Sequence, residues 1–161
     1  MRRVLLPFLT VFLTVTSASA SFDPSVDVGK QAKGAKKVVL ATVTDVTTAF
    51  GDNEFGDRLI LSQVTLRVDE TMKGAHEPSV VLSVEGGTVG ELTLTVSDMP
   101  RMERGHRAVL FMDESNRGGH VPHGRGAGVL KLDADDRVAG TSVSLDEVRR
   151  AVKATQTEGG K

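Results

Sequence analysis

The chain has 161 residues, enough for one domain with a hydrophobic core, and 39% of them are apolar. It contains no cysteine, which excludes disulfides, thiolate metal ligands and cysteine nucleophiles within this sequence. With no tyrosine or tryptophan and a formal charge of −1 at pH 7, the composition argues against a nucleic-acid-binding surface.

The N-terminus carries the three parts of a secretory signal. Two arginines precede the apolar run "VLLPFLTVFLTV", and the small residues Ala18-Ser19-Ala20 follow it. The alternative is a membrane anchor, but a run of about 12 residues is shorter than the roughly 20 that a bilayer requires. We therefore expect residues 1–20 to be a signal peptide, and the mature protein to be periplasmic or extracellular without a membrane span.

The next segment changes from helix signals to strand signals. Ser25 is a candidate N-cap, and a short helix is predicted over residues 26–33. From Val38 onward, apolar and polar residues alternate, and valine and threonine dominate. The alternation shifts by one residue near Thr44-Asp45, which indicates a β-bulge. The predicted strands are residues 38–50, 58–70, 79–87, 91–96 and 106–113, followed by a hairpin of 126–133 and 137–141.

Two of these strands carry specific expectations about burial. Leu92, Leu94 and Val96 alternate along one strand and should face the core. The run 106–113 is almost continuously apolar, so that strand should be buried on both faces.

The chain ends in a well-marked helix. Ser144 and Glu147 form an S-x-x-E capping box, and Leu145, Val148 and Val152 form an apolar stripe that should pack on the strands. Residues 155–161 should form a disordered tail.

The predicted elements favour a mainly β fold, a small OB-like β-barrel of five to six strands with a short N-terminal helix and a C-terminal helix. It would be a single domain over residues 21–154. A β-sandwich is the main competing architecture.

The only metal-like spacing is His120-x-x-His123. Residues three apart on a strand face opposite sides, and no carboxylate is adjacent in sequence, so we expect exposed loop histidines and neither metal nor cofactor. The acidic turn that begins at Asp133 lacks the glycine and glutamate of an EF-hand loop. Neither G-x-S-x-G nor S-x-x-K is present, so the protein is predicted to be non-catalytic. The alternative is a small exported hydrolase or a metal-binding protein that uses these histidines.

Residues 84–112, "VEGGTVGELTLTVSDMPRMERGHRAVLFM", combine a glycine pair, a short strand, a Met-Pro turn, a charged turn and an apolar strand. This stretch resembles an uncharacterised exported bacterial family similar to the OB-fold of tissue inhibitors of metalloproteinases. Its members are often encoded beside matrixin-type secreted metalloproteases, and the likeness extends loosely over residues 38–132. His106 and Ala127 depart from the family pattern, which tends to have an acid and a glutamine there.

The resemblance implies a protein partner, with an extracellular metalloprotease as the candidate. The animal inhibitors chelate the protease zinc through an N-terminal cysteine, whereas the mature chain would begin at Ser21, so that mechanism is not carried over. We expect an exported, non-catalytic binding or accessory module that makes contact through turns 51–56 and 86–90. The candidate contact residues are Gly51, Asp52, Asn53, Gly86, Gly87 and Gly90.

Overall fold

The computed structural model describes residues 27–158, and the predicted signal peptide lies outside them. The elements are α1 (Val28–Gly34), β1 (Lys37–Asp52), β2 (Arg58–Lys73), β3 (Ser79–Glu85), β4 (Gly87–Val89), β5 (Leu92–Leu94), β6 (Arg107–Glu114), β7 (His120–Pro122), a 3-10 helix (Arg125–Gly128), β8 (Val129–Lys131) and α2 (Leu145–Glu158). Neither α-helix of this region has the length and apolar content needed to cross a bilayer.

Five strands form a partly closed ring. Their order is β1-β2-β3-β7-β6, and β6 pairs back onto β1. All neighbours are antiparallel except β3 and β7, which are parallel and meet at the single pair Leu82 and His120. This arrangement confirms the small OB-like β-barrel with flanking helices, and the ring is weakest at the β3–β7 contact.

The bulge in β1 allows that strand to take part in two pairings. The register with β2 shifts between Val43 and Asp45, which leaves Thr44 as the extra residue and confirms the predicted bulge. Residues 37–42 pair with β6 on one side, while residues 38–52, apart from Thr44, pair with β2 on the other. The second half of β1 therefore extends beyond the ring as part of a hairpin.

Strand β6 separates two hydrophobic cores. Ala108, Leu110 and Met112 belong to the barrel interior, whereas Val109 and Phe111 belong to an outer core beneath the helices. All five are buried, so the prediction of a strand buried on both faces is confirmed.

The two helices complete the outer core. The cap of α1 is Asp27, whose Oδ1 accepts from the Lys30 amide at 2.9 Å; the predicted cap Ser25 lies outside the described residues. The predicted start and end of α1 were thus off by one or two residues. At its C-terminal end, Lys73 Nζ donates to the carbonyls of Ala32 and Ala35 at 2.7 and 2.6 Å, which satisfies groups that the helix leaves unpaired.

Helix α2 confirms the predicted capping box and corrects the predicted tail. The Ser144 amide donates to Glu147 Oε2 at 2.8 Å, and the Glu147 amide donates to Ser144 Oγ at 3.3 Å. The helix continues to Glu158, so the disordered tail predicted from Thr155 is wrong for residues 155–158. Gln156 holds this last turn on β2 by donating to the Met72 carbonyl at 2.5 Å.

Three predictions for the strand segments need correction. The segment 91–96 contributes only β5, which pairs with β4 in a separate two-stranded sheet, and Leu92 is 60% exposed. The chain leaves β3 through Gly86 and Gly87, whose φ angles of 109° and 131° turn it away from the ring. The last hairpin reduces to β8 and one bridge between Leu132 and Val138, and β7 lies where a loop was predicted.

Candidate functional site

The β1–β2 turn has a rigid polar core built on Asn53. Its side chain is buried, and its Oδ1 accepts from the backbone amides of Phe55 and Asp57 at 3.0 and 2.9 Å. Its Nδ2 donates to Glu85 Oε1 at 2.9 Å, which ties the turn to the end of β3. An asparagine that bonds the backbone two and four residues ahead fixes the turn without help from a ligand.

A second loop, between β6 and β7, is locked onto this turn. Glu54 accepts from Ser115 Oγ at 2.5 Å and from the Asn116 amide at 3.1 Å. Arg117 Nε donates to the Asn53 carbonyl at 2.9 Å. We refer to residues 53–57 and 115–119 together as the two-loop platform, because these bonds hold the two loops in one fixed arrangement.

Phe55 projects from the tip of this platform. Its side chain is 81% exposed, more than any other large apolar residue in the described part of the chain. Burying an aromatic ring contributes about 1.5–3 kcal/mol, so leaving one in water on a hydrogen-bonded turn forgoes that gain. An exposed aromatic on a rigid loop is typical of residues that anchor a partner.

A groove of about 430 Å³ runs beside the platform. Its apolar lining comes from β2, β7 and the segment before β6, and its rim is polar. The lining includes Leu61, Met99, Val121, Pro122, Arg117 and Arg125. An apolar floor with a polar rim is the composition found at the centre and border of protein interfaces.

The charges on the groove rim are already paired. Arg125 Nε donates to Asp98 Oδ2 at 2.6 Å, and Arg125 Nη2 donates to Glu85 Oε2 at 3.0 Å. The hydrogen bond from Arg125 lowers the pKa of Asp98 below its ordinary value. Arg125 adopts a φ of 59°, a left-handed conformation that is uncommon for a residue with a side chain. Because Arg125 is paired with Asp98 and Glu85, a ligand in the groove would meet neutralised charges on the rim rather than an excess of positive or negative charge.

The six predicted contact residues fall into three different environments. Gly51 and Asp52 end β1 beside the platform, while Asn53 is the buried residue that builds it. Gly86 and Gly87 lie against the barrel: a Cβ on Gly87 would stand 2.5 Å from the Thr48 methyl carbon and 2.6 Å from Ser62 Oγ. Gly90 is at the open tip of the β4–β5 hairpin. The two turns border different cavities, because Asp52 and Asn53 line the groove beside the platform whereas Gly86 and Gly87 line a cavity next to the β4–β5 hairpin.

The β4–β5 hairpin borders a second cavity of about 430 Å³ at one end of the barrel. Thr48, Ser62, Val84 and Met102 contribute to its lining. Arg104 closes one side by pairing with Asp45 at 2.8 Å. The most exposed large apolar side chain of this hairpin, Leu92, is 60% exposed, against 81% for Phe55, so the platform and its groove are the stronger candidate.

The prediction that His120 and His123 are exposed loop residues is wrong. His120 lies in β7 and His123 follows it, with a side chain only 28% exposed and Nδ1 2.7 Å from Asp113 Oδ2. A carboxylate distant in sequence thus contacts the second histidine, which the local pattern could not reveal. Within residues 27–158, no three His, Asp or Glu residues are grouped so that they could hold a metal ion.

Sequence reasoning missed the residues that define the candidate site, namely Phe55, Arg117 and Arg125. A usable signal was present for the first, because an asparagine in a turn readily bonds the backbone two residues ahead, which predicts that Asn53 fixes the turn at Phe55. No family model matches the chain, and a search of curated proteins gives no match. Support for a functional site at the platform therefore comes from the contacts and exposure of its own residues.

Proposed function

We propose that the mature chain is an exported, non-catalytic binding module and that its partner is a protein. The observation that carries the proposal is the side chain of Phe55, held 81% exposed on a hydrogen-bonded platform beside an apolar groove. A loop that is already fixed loses little conformational entropy on binding. The free energy gained by burying the Phe55 ring is therefore not offset by the cost of ordering the loop.

A protein partner fits this surface better than a nucleic acid does. Phenylalanine is the only aromatic residue type in the chain, and the rim of the groove carries paired rather than uniformly basic charges. Interface centres are enriched in aromatic and arginine side chains surrounded by polar residues, which is the composition found here.

Export is proposed from the sequence signal that ends at Ala20. N-terminal sequencing of the protein recovered from the periplasm or the medium should find Ser21 as the first residue. Protein recovered from the cytoplasm with Met1 intact would contradict export.

The platform is tested by capture and then by affinity. The tagged mature protein is first used to isolate its partner from the secreted proteins of its own source, and the dissociation constant is then measured with the purified partner. Phe55→Ala should weaken binding by at least about 10-fold, equivalent to about 1.4 kcal/mol, because an anchor ring is removed.

The matched control is Leu92→Ala, which removes another exposed apolar side chain but lies on the β4–β5 hairpin, outside the platform. Its affinity should stay within twofold of the parent protein. Equal losses for the two variants, or a loss for Leu92→Ala alone, would refute the platform as the binding surface.

The partner we propose is a secreted metalloprotease, on the basis of the family resemblance of residues 84–112. Because the chain has no cysteine to chelate the active-site zinc, inhibition would act through loops that occupy the substrate cleft. Inhibition by the mature protein should therefore be unchanged when one alanine is added before Ser21. Inhibition abolished by that single residue would contradict the loop mechanism, and a lack of inhibition at saturating protein would refute the metalloprotease as partner.

A further inference from the structure

Among residues 27–158, no strand pairs with one edge of the second half of β1. Its pairing with β6 ends at Thr42, and Val43 makes the last backbone hydrogen bonds on that side: its amide donates to the His106 carbonyl, and its carbonyl accepts from the Gly105 amide, at 2.9 Å each. From Asp45 to Asp52, β1 pairs with β2 alone within the part of the chain that the structure describes.

Between Asp45 and Asp52, this edge lacks the charged residues and prolines that usually prevent edge-to-edge pairing. Residues 46–51 read Val-Thr-Thr-Ala-Phe-Gly, with no charge and no proline, and most of them have high β propensity. Thr47, Ala49 and Phe50 are exposed, and Phe50 is 48% exposed. A row of unpaired backbone groups next to such side chains is a template for another strand.

The positions of the acidic residues favour a second copy of the same chain as that strand. In an antiparallel pair, opposed residues must both direct their backbone groups toward the partner or both away from it. When two identical strands pair about a twofold axis, odd-numbered residues therefore face odd-numbered ones and even face even. In the register whose twofold axis lies at Thr48, Asp45 lies opposite Gly51 and Asp52 lies opposite Thr44 of the second copy, so no two acidic residues are directly opposite each other across the new interface.

We propose that the protein forms a symmetric dimer through antiparallel pairing of its β1 edges, with the twofold axis at Thr48. This register places Val46 opposite Phe50 of the second copy and Thr47 opposite Ala49. Aromatic residues opposite β-branched residues are favourable cross-strand pairs, and this register makes that pair twice. Arg104 neutralises Asp45 at 2.8 Å, which keeps the start of the edge free of net charge.

The dimer is independent of the proposed partner binding. The paired segment ends before residue 53, so the two-loop platform of each copy stays outside the interface. The two platforms would point away from the axis at opposite ends of a continuous sheet of order β2-β1-β1-β2.

The experiment is analytical ultracentrifugation of the mature protein over a wide concentration range, with variants at the exposed positions Thr47 and Ala49. The parent protein should sediment as a concentration-dependent dimer. Thr47→Lys/Ala49→Lys puts lysine opposite lysine twice and should be monomeric, and Thr47→Glu/Ala49→Glu should be monomeric for the same reason. An equimolar mixture of the two variants puts lysine opposite glutamate twice and should restore the dimer.

The matched control is Ala75→Lys/Ala154→Lys, which adds the same charge at two exposed positions, one in the turn after β2 and one on α2, and should leave the dimer intact. Restored association in the mixture also establishes that both edge variants are folded. A parent protein that stays monomeric at all concentrations, a dimer that tolerates the lysine pair, or a mixture that stays monomeric would each overturn the proposal.

Discussion

Replacing Phe111 with alanine tests the outer core described above. The side chain is fully buried on the outer face of β6, where it packs with residues of both helices such as Val28 and Val148. Removing a buried phenylalanine costs about 3–5 kcal/mol from lost transfer free energy and the cavity left behind. That is a large fraction of the 5–15 kcal/mol by which domains of this size are usually stable, so the urea midpoint should fall steeply.

Urea unfolding should be followed by far-UV circular dichroism, because the chain has neither tryptophan nor tyrosine to report by fluorescence. Phe55→Ala is the matched control: the same substitution at an 81% exposed position should change the free energy of unfolding by less than about 0.5 kcal/mol. A loss below about 1 kcal/mol for Phe111→Ala would refute the close-packed helix layer over β6.

Two further predictions concern α1 and a buried lysine. Gly34→Ala should destabilise the protein by about 1–3 kcal/mol in urea unfolding, because the added Cβ would overlap the ring of His123. Gly29→Ala in the same helix meets only an ordinary contact and should not destabilise. Lys37, which is buried, donates to Glu77 and lowers the pKa of that carboxyl below its ordinary value of 4.5. A lowered carboxyl pKa stabilises the fold above pH 4.5, and this stability is lost as the pH falls through the lowered pKa. The Tm of Glu77→Gln should thus lie below that of the parent protein at neutral pH, with a difference that shrinks well below pH 4.5.

The fold was largely predictable because its long elements carry strong local patterns. The alternation along β1 and β2, the phase shift at Thr44 and the capping box at Ser144 are each set by residues close in sequence. Strand β7 was missed because three residues that include a proline have no such pattern. It exists because β6 and β3 are already in place on either side of it.

The candidate site was less predictable because it joins segments far apart in the chain. Alternation identifies two faces of a strand but does not say which is buried, so Leu92 was assigned to the core although it is exposed. The bond between Glu54 and Ser115 depends on how the ring brings two loops to one end of the barrel. Glycines in a turn predicted the location of one loop, but the side chain that it presents, Phe55, was not among the expected contacts.

Closure of the ring has a consequence for how the chain folds. Val38 pairs with Phe111, so the β1–β6 seam joins residues from opposite ends of the barrel sequence. Pairings of such high contact order form slowly, after the local β1–β2 hairpin. Until β6 arrives, the hairpin carries an uncovered apolar edge at residues 38–41, which can be captured by another unfinished chain. We therefore expect closure of the ring within one molecule to compete with association between molecules during refolding. The yield of folded monomer should rise as the protein is diluted.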